Sequence, residues 1–360
     1  MSEATPIPRS RIKRHLLSWG TGTFDPEPGT PHNYSLTVLL ESGKYLEPLA
    51  ASNVIGEKTV VFAPTDADPI ALPHGAALVQ YDGPVAMTGD EISIGDDFFL
   101  QLQDYATSAY MSVLGPALVR VTSDEDFAAY VADADLARET GDFPSFLVAS
   151  PVQLADAAGL GAGLGIDGPG LRLFVNESGE VSTSLGGRSL GTLEDGFSQL
   201  LARWEERNAQ SSQPCGVCLG GVLDEQTRVE GLTERPWLGR YLAAIRARQD
   251  LHARGIAEAR VSGFGVRLVD ELAGVAQAAD ATRTELPILL WNGDEAYVYS
   301  PARRVFKISH EVARLVECLL VTGAVEAAAE YANAQAVAAV AQRFAAAGVP
   351  LILSEAEASA

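Results

Sequence analysis

Cysteine is scarce in this chain, three residues (Cys215, Cys218 and Cys318) in 360. Three thiols cannot build the disulfide framework that holds small secreted domains together, so stability must come from buried apolar surface. Basic residues are scarce too, 26 lysines and arginines against 47 acids, for a formal charge of −21. That balance leaves no broad cationic face for a phosphate backbone, and nucleic acid is not an expected partner. Long apolar runs are missing: none reaches the ~18 residues of a membrane span. Met1 to Pro6 lack the hydrophobic core of a signal peptide, so no membrane partner is expected and the cytoplasm is the expected location. The five histidines (His15, His32, His74, His252 and His310) show no HxH or HxxxH spacing. No metal is expected from them.

What is present reads as a globular protein, 47% hydrophobic, with 34 glycines and 19 prolines dividing it into short elements. The length accommodates two or three domains. The expected class is a multidomain α+β or α/β protein: a β-rich region over 1–120, an α/β region over 121–285 and a small module over 286–354. The acidic excess sits outside that module. Residues 286–354 carry five basic against six acidic side chains, and residues 1–285 carry 21 against 39.

The one dense basic run, Arg9 to His15, leads into Leu16-Leu17-Ser18-Trp19 and fits a short amphipathic helix or strand. A docking segment and a solvated face both account for it. Thr23 to His32 is a Pro/Gly loop, and residues 34–119 read mainly as strands between turn residues. Asp96-Asp97-Phe98-Phe99 is expected to open a helix through Tyr110. Ala117 to Val121 is a strand, Ser123 and Asp126 make a capping-box pattern for a helix through Ala137, and Phe146 to Ala149 is the next strand. Leu171 to Val175 and Val181 to Leu185 are strands, and Thr192 caps a helix through Arg207. Asn208 to Pro214 is a candidate seam. A helix from Arg235 to about Arg254 precedes a glycine-interrupted strand, Ala259 to Leu268.

Two stretches imitate functional motifs. Ala158 to Gly170 is glycine-rich, but a phosphate loop stands between a strand and the helix it opens, whereas here Pro169-Gly170 leads into a strand; a flexible surface loop is expected. Cys215-Gly216-Val217-Cys218 supplies two thiols where a structural zinc needs four ligands, and no helix follows to lower a thiol pKa. No cofactor is expected.

The most informative stretch is 286–354. Ile288 to Trp291 and Ala296 to Tyr299 flank Asn292-Gly293-Asp294-Glu295, a strong hairpin signal in which Asn-Gly suits the two positive-φ positions of a type I′ turn. Arg303 to Ile308 alternates as a third strand. Ser309 caps a helix with Val312, Leu315, Val316, Leu319 and Leu320 on one face, closed by Gly323. Ala324 to Tyr331 is a short second helix, Asn333 to Gln335 a break, and Ala336 to Ala347 a third helix; Leu351 to Leu353 fits a returning strand.

Three strands then three helices, with the hairpin Trp291 to Tyr299 and the helix Ser309 to Val316, resemble the PqqD-like family, the winged-helix leader-peptide recognition elements of ribosomal-peptide maturation systems. Together with the segments 235–254 and 259–268, the chain looks like the recognition proteins of daptide biosynthesis clusters. The resemblance implies that an extended precursor peptide adds a strand along the third strand, here Arg303, Arg304, Val305, Phe306, Lys307 and Ile308, with its apolar side chains against Val337, Val340, Ala341 and Phe344 of the third helix. It implies that Arg303, Arg304 and Lys307 suit an acidic leader, and that proline at Val305 or Phe306 abolishes binding. It further implies a non-catalytic protein that presents its precursor to separate peptide-modifying enzymes docked on residues 1–285. The alternative is a peptide-maturation enzyme with its active site in the α/β body and a C-terminal substrate-delivery module.

Overall fold

The computed structural model describes residues 7–23, 33–96, 98–112, 115–162, 167–275 and 277–353. It is a mixed α/β fold with several sheets and ten α-helices among those residues. The chain forms two compact units, Met1–Tyr130 with Pro151–Glu234, and Val131–Ser150 with Arg235–Ala360. These are not the three segments expected from the sequence. The first strand pairs in parallel with one that follows the glycine-rich stretch, so the β-rich start and much of the middle share one sheet. No seam falls at Asn208 to Pro214, which lies inside the first unit.

The first unit contains α1 (Arg9–Thr21), β1 (Ser35–Leu40), α2 (Leu46–Ala51), β2 (Ile55–Pro64), β3 (Ala77–Tyr81), β4 (Glu91–Ile94), β5 (Phe98–Asp104), α3 (Tyr105–Ser108), β6 (Ala117–Arg120) and the start of α4 (Asp124–Thr140). After the chain returns come β7 (Val152–Leu154), β8 (Arg172–Val175), β9 (Glu180–Ser182), β10 (Gly191–Thr192), α5 (Gly196–Ala209) and α6 (Glu225–Glu234). One sheet has the order β10-β9-β8-β1-β2-β3 with its four central and outer strands β8, β1, β2 and β3 parallel; the other runs β4-β5-β6-β7. Side chains alternate across the larger sheet as strand geometry requires. Val38, Leu40, Val61, Leu173 and Val175 enter one core. Leu39, Val60, Phe62 and Phe174 enter the other, with Leu16 and Trp19 of α1 and Leu100, Leu102 and Leu118 of the smaller sheet.

Several local expectations fail here for identifiable reasons. Of the helix expected from Asp96 through Tyr110 only α3 is helical, and the part before it is β5: Gly95, at φ +60°, turns the chain so that Phe98 pairs with Ile94. Leu100 and Leu102 then fall on one buried face, a period of two. Phe146 to Ala149 makes turns, and the strand that returns beside β6 is β7. Val181 to Leu185 pairs only as far as Ser182. The glycine-rich stretch is not a surface loop at its described ends, since Ala158, Gly159, Leu160, Asp167 and Gly168 are buried; residues 163–166 lie outside the described residues. A Cβ on Gly159 would stand 2.6 Å from Cys218 Sγ, so this glycine serves close packing. The Pro/Gly loop from Phe24 to His32 also falls outside the described residues.

The second unit continues α4 and adds α7 (Leu238–His252), β11 (Arg260–Val261), β12 (Ile288–Asn292), β13 (Glu295–Tyr299), β14 (Val305–Ile308), α8 (His310–Thr322), α9 (Val325–Ala328) and α10 (Ala334–Ala346). Its antiparallel sheet has the order β11-β12-β13-β14. A fourth strand thus precedes the expected three. Ala259 to Leu268 contributes only Arg260 and Val261 to it, because Gly263 and Gly265 (φ +81° and +70°) turn the chain away. Leu351 to Leu353 does not pair as a strand.

Leu289, Trp291, Ala296 and Val298 of the sheet bury against Ala313, Val316, Leu319 and Leu320 of α8 and Val337 and Phe344 of α10. Each fully buried aliphatic side chain contributes roughly 1.5–3 kcal/mol. Glu317 lies within this core with no exposed surface. Its carboxylate accepts hydrogen bonds from the backbone N–H groups of Leu268 (3.0 Å) and Val269 (2.7 Å) and from Ser262 Oγ (2.6 Å), fastening the 262–269 loop to α8.

Candidate functional site

The hairpin that starts the site pairs Asn292 with Glu295, so its central residues are Gly293 and Asp294. Only Gly293 has positive φ, +56°. That is the first central position, where a II′ turn places its glycine, rather than the I′ arrangement expected from Asn-Gly. The next turn sets the register of β14: Ser300 N–H donates to Arg304 C=O at 2.9 Å, and Arg303 adopts φ +58°.

That bond fixes which backbone groups of β14 face outward. In an antiparallel pair, hydrogen-bonded and non-hydrogen-bonded positions alternate. With Ser300 bonded to Arg304, the pairs Val298–Phe306 and Ala296–Ile308 exchange the ladder bonds, while Tyr299–Val305 and Tyr297–Lys307 do not. The N–H and C=O groups of Val305 and Lys307 therefore point away from β13. β14 is the last strand of its sheet, and among the described residues no backbone group pairs with that outer edge. Phe306 faces the opposite way, so proline there would break the protein's own sheet; Val305 and Lys307 are the positions that test the outer edge.

Beside this edge lies a groove of about 440 Å³ between β14 and α10. Phe306, Ile308, Val312, Val340 and Phe344 give it apolar walls. The Phe306 and Phe344 rings meet at 6.1 Å between centroids and 64°. Asn333 positions the helical wall by capping α10, its side chain accepting the Ala336 N–H at 3.0 Å; the expected break at Asn333 to Gln335 is thus a cap followed by helix. Of the residues expected on that wall, Val340 and Phe344 line the groove. Val337 is fully buried and half-buried Ala341 packs on the core.

The cations are placed differently from the sequence expectation. Arg303 forms an ion pair with Asp250 at 2.9 Å, and that hydrogen bonding holds its guanidinium further above its ordinary pKa. Arg304 donates to the carbonyls of Ala347 (3.1 Å) and Gly348 (3.0 Å) beyond the end of α10 and lies over the Phe306 ring at 5.5 Å. The Lys307 ammonium is bound to Glu295, which it holds below the usual carboxylate range. Each of the three already has a partner within the chain. Arg343 lies off the apolar stripe by which the sequence marks α10, so that pattern does not point to it. It is exposed, lines the groove, and makes no ion pair or side-chain hydrogen bond among the described residues.

No family model, curated protein or solved structure matches this chain.

A second cluster of chemically capable side chains lies in the first unit. Cys215 and Cys218 are buried, with Sγ atoms 2.6 Å apart, and Cys215 Sγ donates to Asp167 Oδ2 at 3.0 Å. The three ligand-type atoms lie within 4.8 Å of one another. Two thiolates bound to tetrahedral zinc at ~2.3 Å would stand ~3.8 Å apart. Both Asp167 oxygens are held by Arg172, at 2.8 and 2.9 Å, and Arg172 also reaches Asp156 at 2.7 Å and the Trp19 carbonyl at 2.7 Å. The hydrogen bond to Cys218, with burial, raises the Cys215 pKa, and burial raises that of Cys218. The cluster sets two buried cysteines beside a buried ion pair, joining the end of α1 to the start of β8. Among the described residues no helix is long and apolar enough to cross a membrane.

Proposed function

We propose that the C-terminal module, a PqqD-like winged helix in its order of strands and helices, captures the leader segment of a ribosomally made precursor peptide. The peptide lies along β14 as an added strand, and the protein presents it to separate modifying enzymes, with residues 1–285 as their platform. The observation that carries this reading is a ladder edge, unpaired among the described residues, beside an apolar groove. Main-chain hydrogen bonds to Val305 and Lys307 would supply affinity, and side chains entering between Phe306, Val340 and Phe344 would supply selectivity. Edge strands are commonly blunted by a charge or a covering element. Here the covering element, α10, stands back by the width of a groove.

The test is calorimetric titration of the full-length protein with synthetic leaders of any short precursor peptides encoded near its gene. Binding in the nanomolar to micromolar range is expected for one of them, and Val305→Pro or Lys307→Pro should each weaken it at least ~10-fold by removing an outward donor. Unchanged affinity in both folded variants would rule out strand addition.

A further inference from the structure

If the groove takes a peptide, α10 also specifies part of that peptide's sequence. Arg343 is the only charged residue among the 13 of this helix. It stands in the groove wall between Val340 and Ala347. A cation in a last helical turn is ordinarily explained by the helix dipole. Here Arg304 already serves the carbonyls at that end. The other groove cation, Lys307, is held by Glu295, and no acid is among the described residues that line the groove.

The dimensions limit what can meet this charge. From Val340 to Ala347 the helix rises about 10 Å at ~1.5 Å per residue. An extended chain covers that distance in about three residues at ~3.3 Å each, so two alternate side chains face the groove. We propose that the groove selects an extended segment with two apolar side chains at i and i+2 and an aspartate or glutamate within one or two positions of them, its carboxylate pairing with Arg343. This rests on the peptide-binding reading and goes beyond it in making Arg343 the specificity-determining residue.

A displayed library of short random peptides, selected on the full-length protein and on Arg343→Glu, tests both levels. The wild type should enrich apolar pairs flanked by an acid. Replacing that acid by lysine should weaken binding about three- to tenfold, and Arg343→Glu should restore the lysine peptide while Arg343→Gln removes the preference without reversing it. Enriched peptides that lose binding in Lys307→Pro but show no acid preference, or an unchanged one in Arg343→Glu, would overturn the role of Arg343 and leave strand addition standing. Absence of enrichment, or binding indifferent to Lys307→Pro, would overturn both.

Discussion

His15 shows how single side chains couple this fold to pH. It is buried in α1 with Nδ1 2.8 Å from Thr37 Oγ1, and burial, aided by Arg11 and Arg14, lowers its pKa from 6.5 to about 4. The folded state therefore resists the proton that the unfolded chain takes up below pH 6.5. The resulting stability is fully present above 6.5 and is lost as pH falls from 6.5 towards 4, up to about 3 kcal/mol for a shift of this size. Urea unfolding of the wild type and His15→Asn across that window should show the slope flattened in the variant; parallel slopes would contradict it. At this scale the sequence was least legible. The basic residues of the 303–307 stretch were visible, but Asp250 is supplied by a helix some fifty positions upstream, and Glu295 reaches Lys307 only through the register of β13 on β14.

At the scale of elements, capping and closing residues proved the most legible. Ser309 and Gly323 bound α8 as expected, the serine accepting the Val312 N–H and the glycine adopting φ +70°. Such signals are local and survive any tertiary context. Short apolar runs are not local in that sense: Phe98-Phe99 and Phe146 to Ala149 are decided by what lies beside them, and both were misread. The start of α10 was misjudged because Asn333 serves the helix as a cap rather than breaking it. Asn333→Ala should cost about 1 kcal/mol of stability by leaving the Ala336 N–H without its acceptor. Denaturant titration measures this, and an unchanged midpoint would show that the cap contributes nothing.

For the whole molecule, the class was legible from alternating strand and helix patterns, but the division into units was not. Pairing of β1 with β8 joins segments more than 130 residues apart, and no composition shift marks it. The order of elements in the C-terminal module was readable, because a meander and the helices after it are built from neighbours in sequence. The proposed peptide capture depends on the outer edge of β14, and amide hydrogen exchange reads it directly. In the free protein the Phe306 and Ile308 amides should exchange slowly and those of Val305 and Lys307 fast; saturation with a bound leader peptide should slow the latter two. Val305 and Lys307 amides already protected in the free protein, or unaffected by the peptide, would contradict the account.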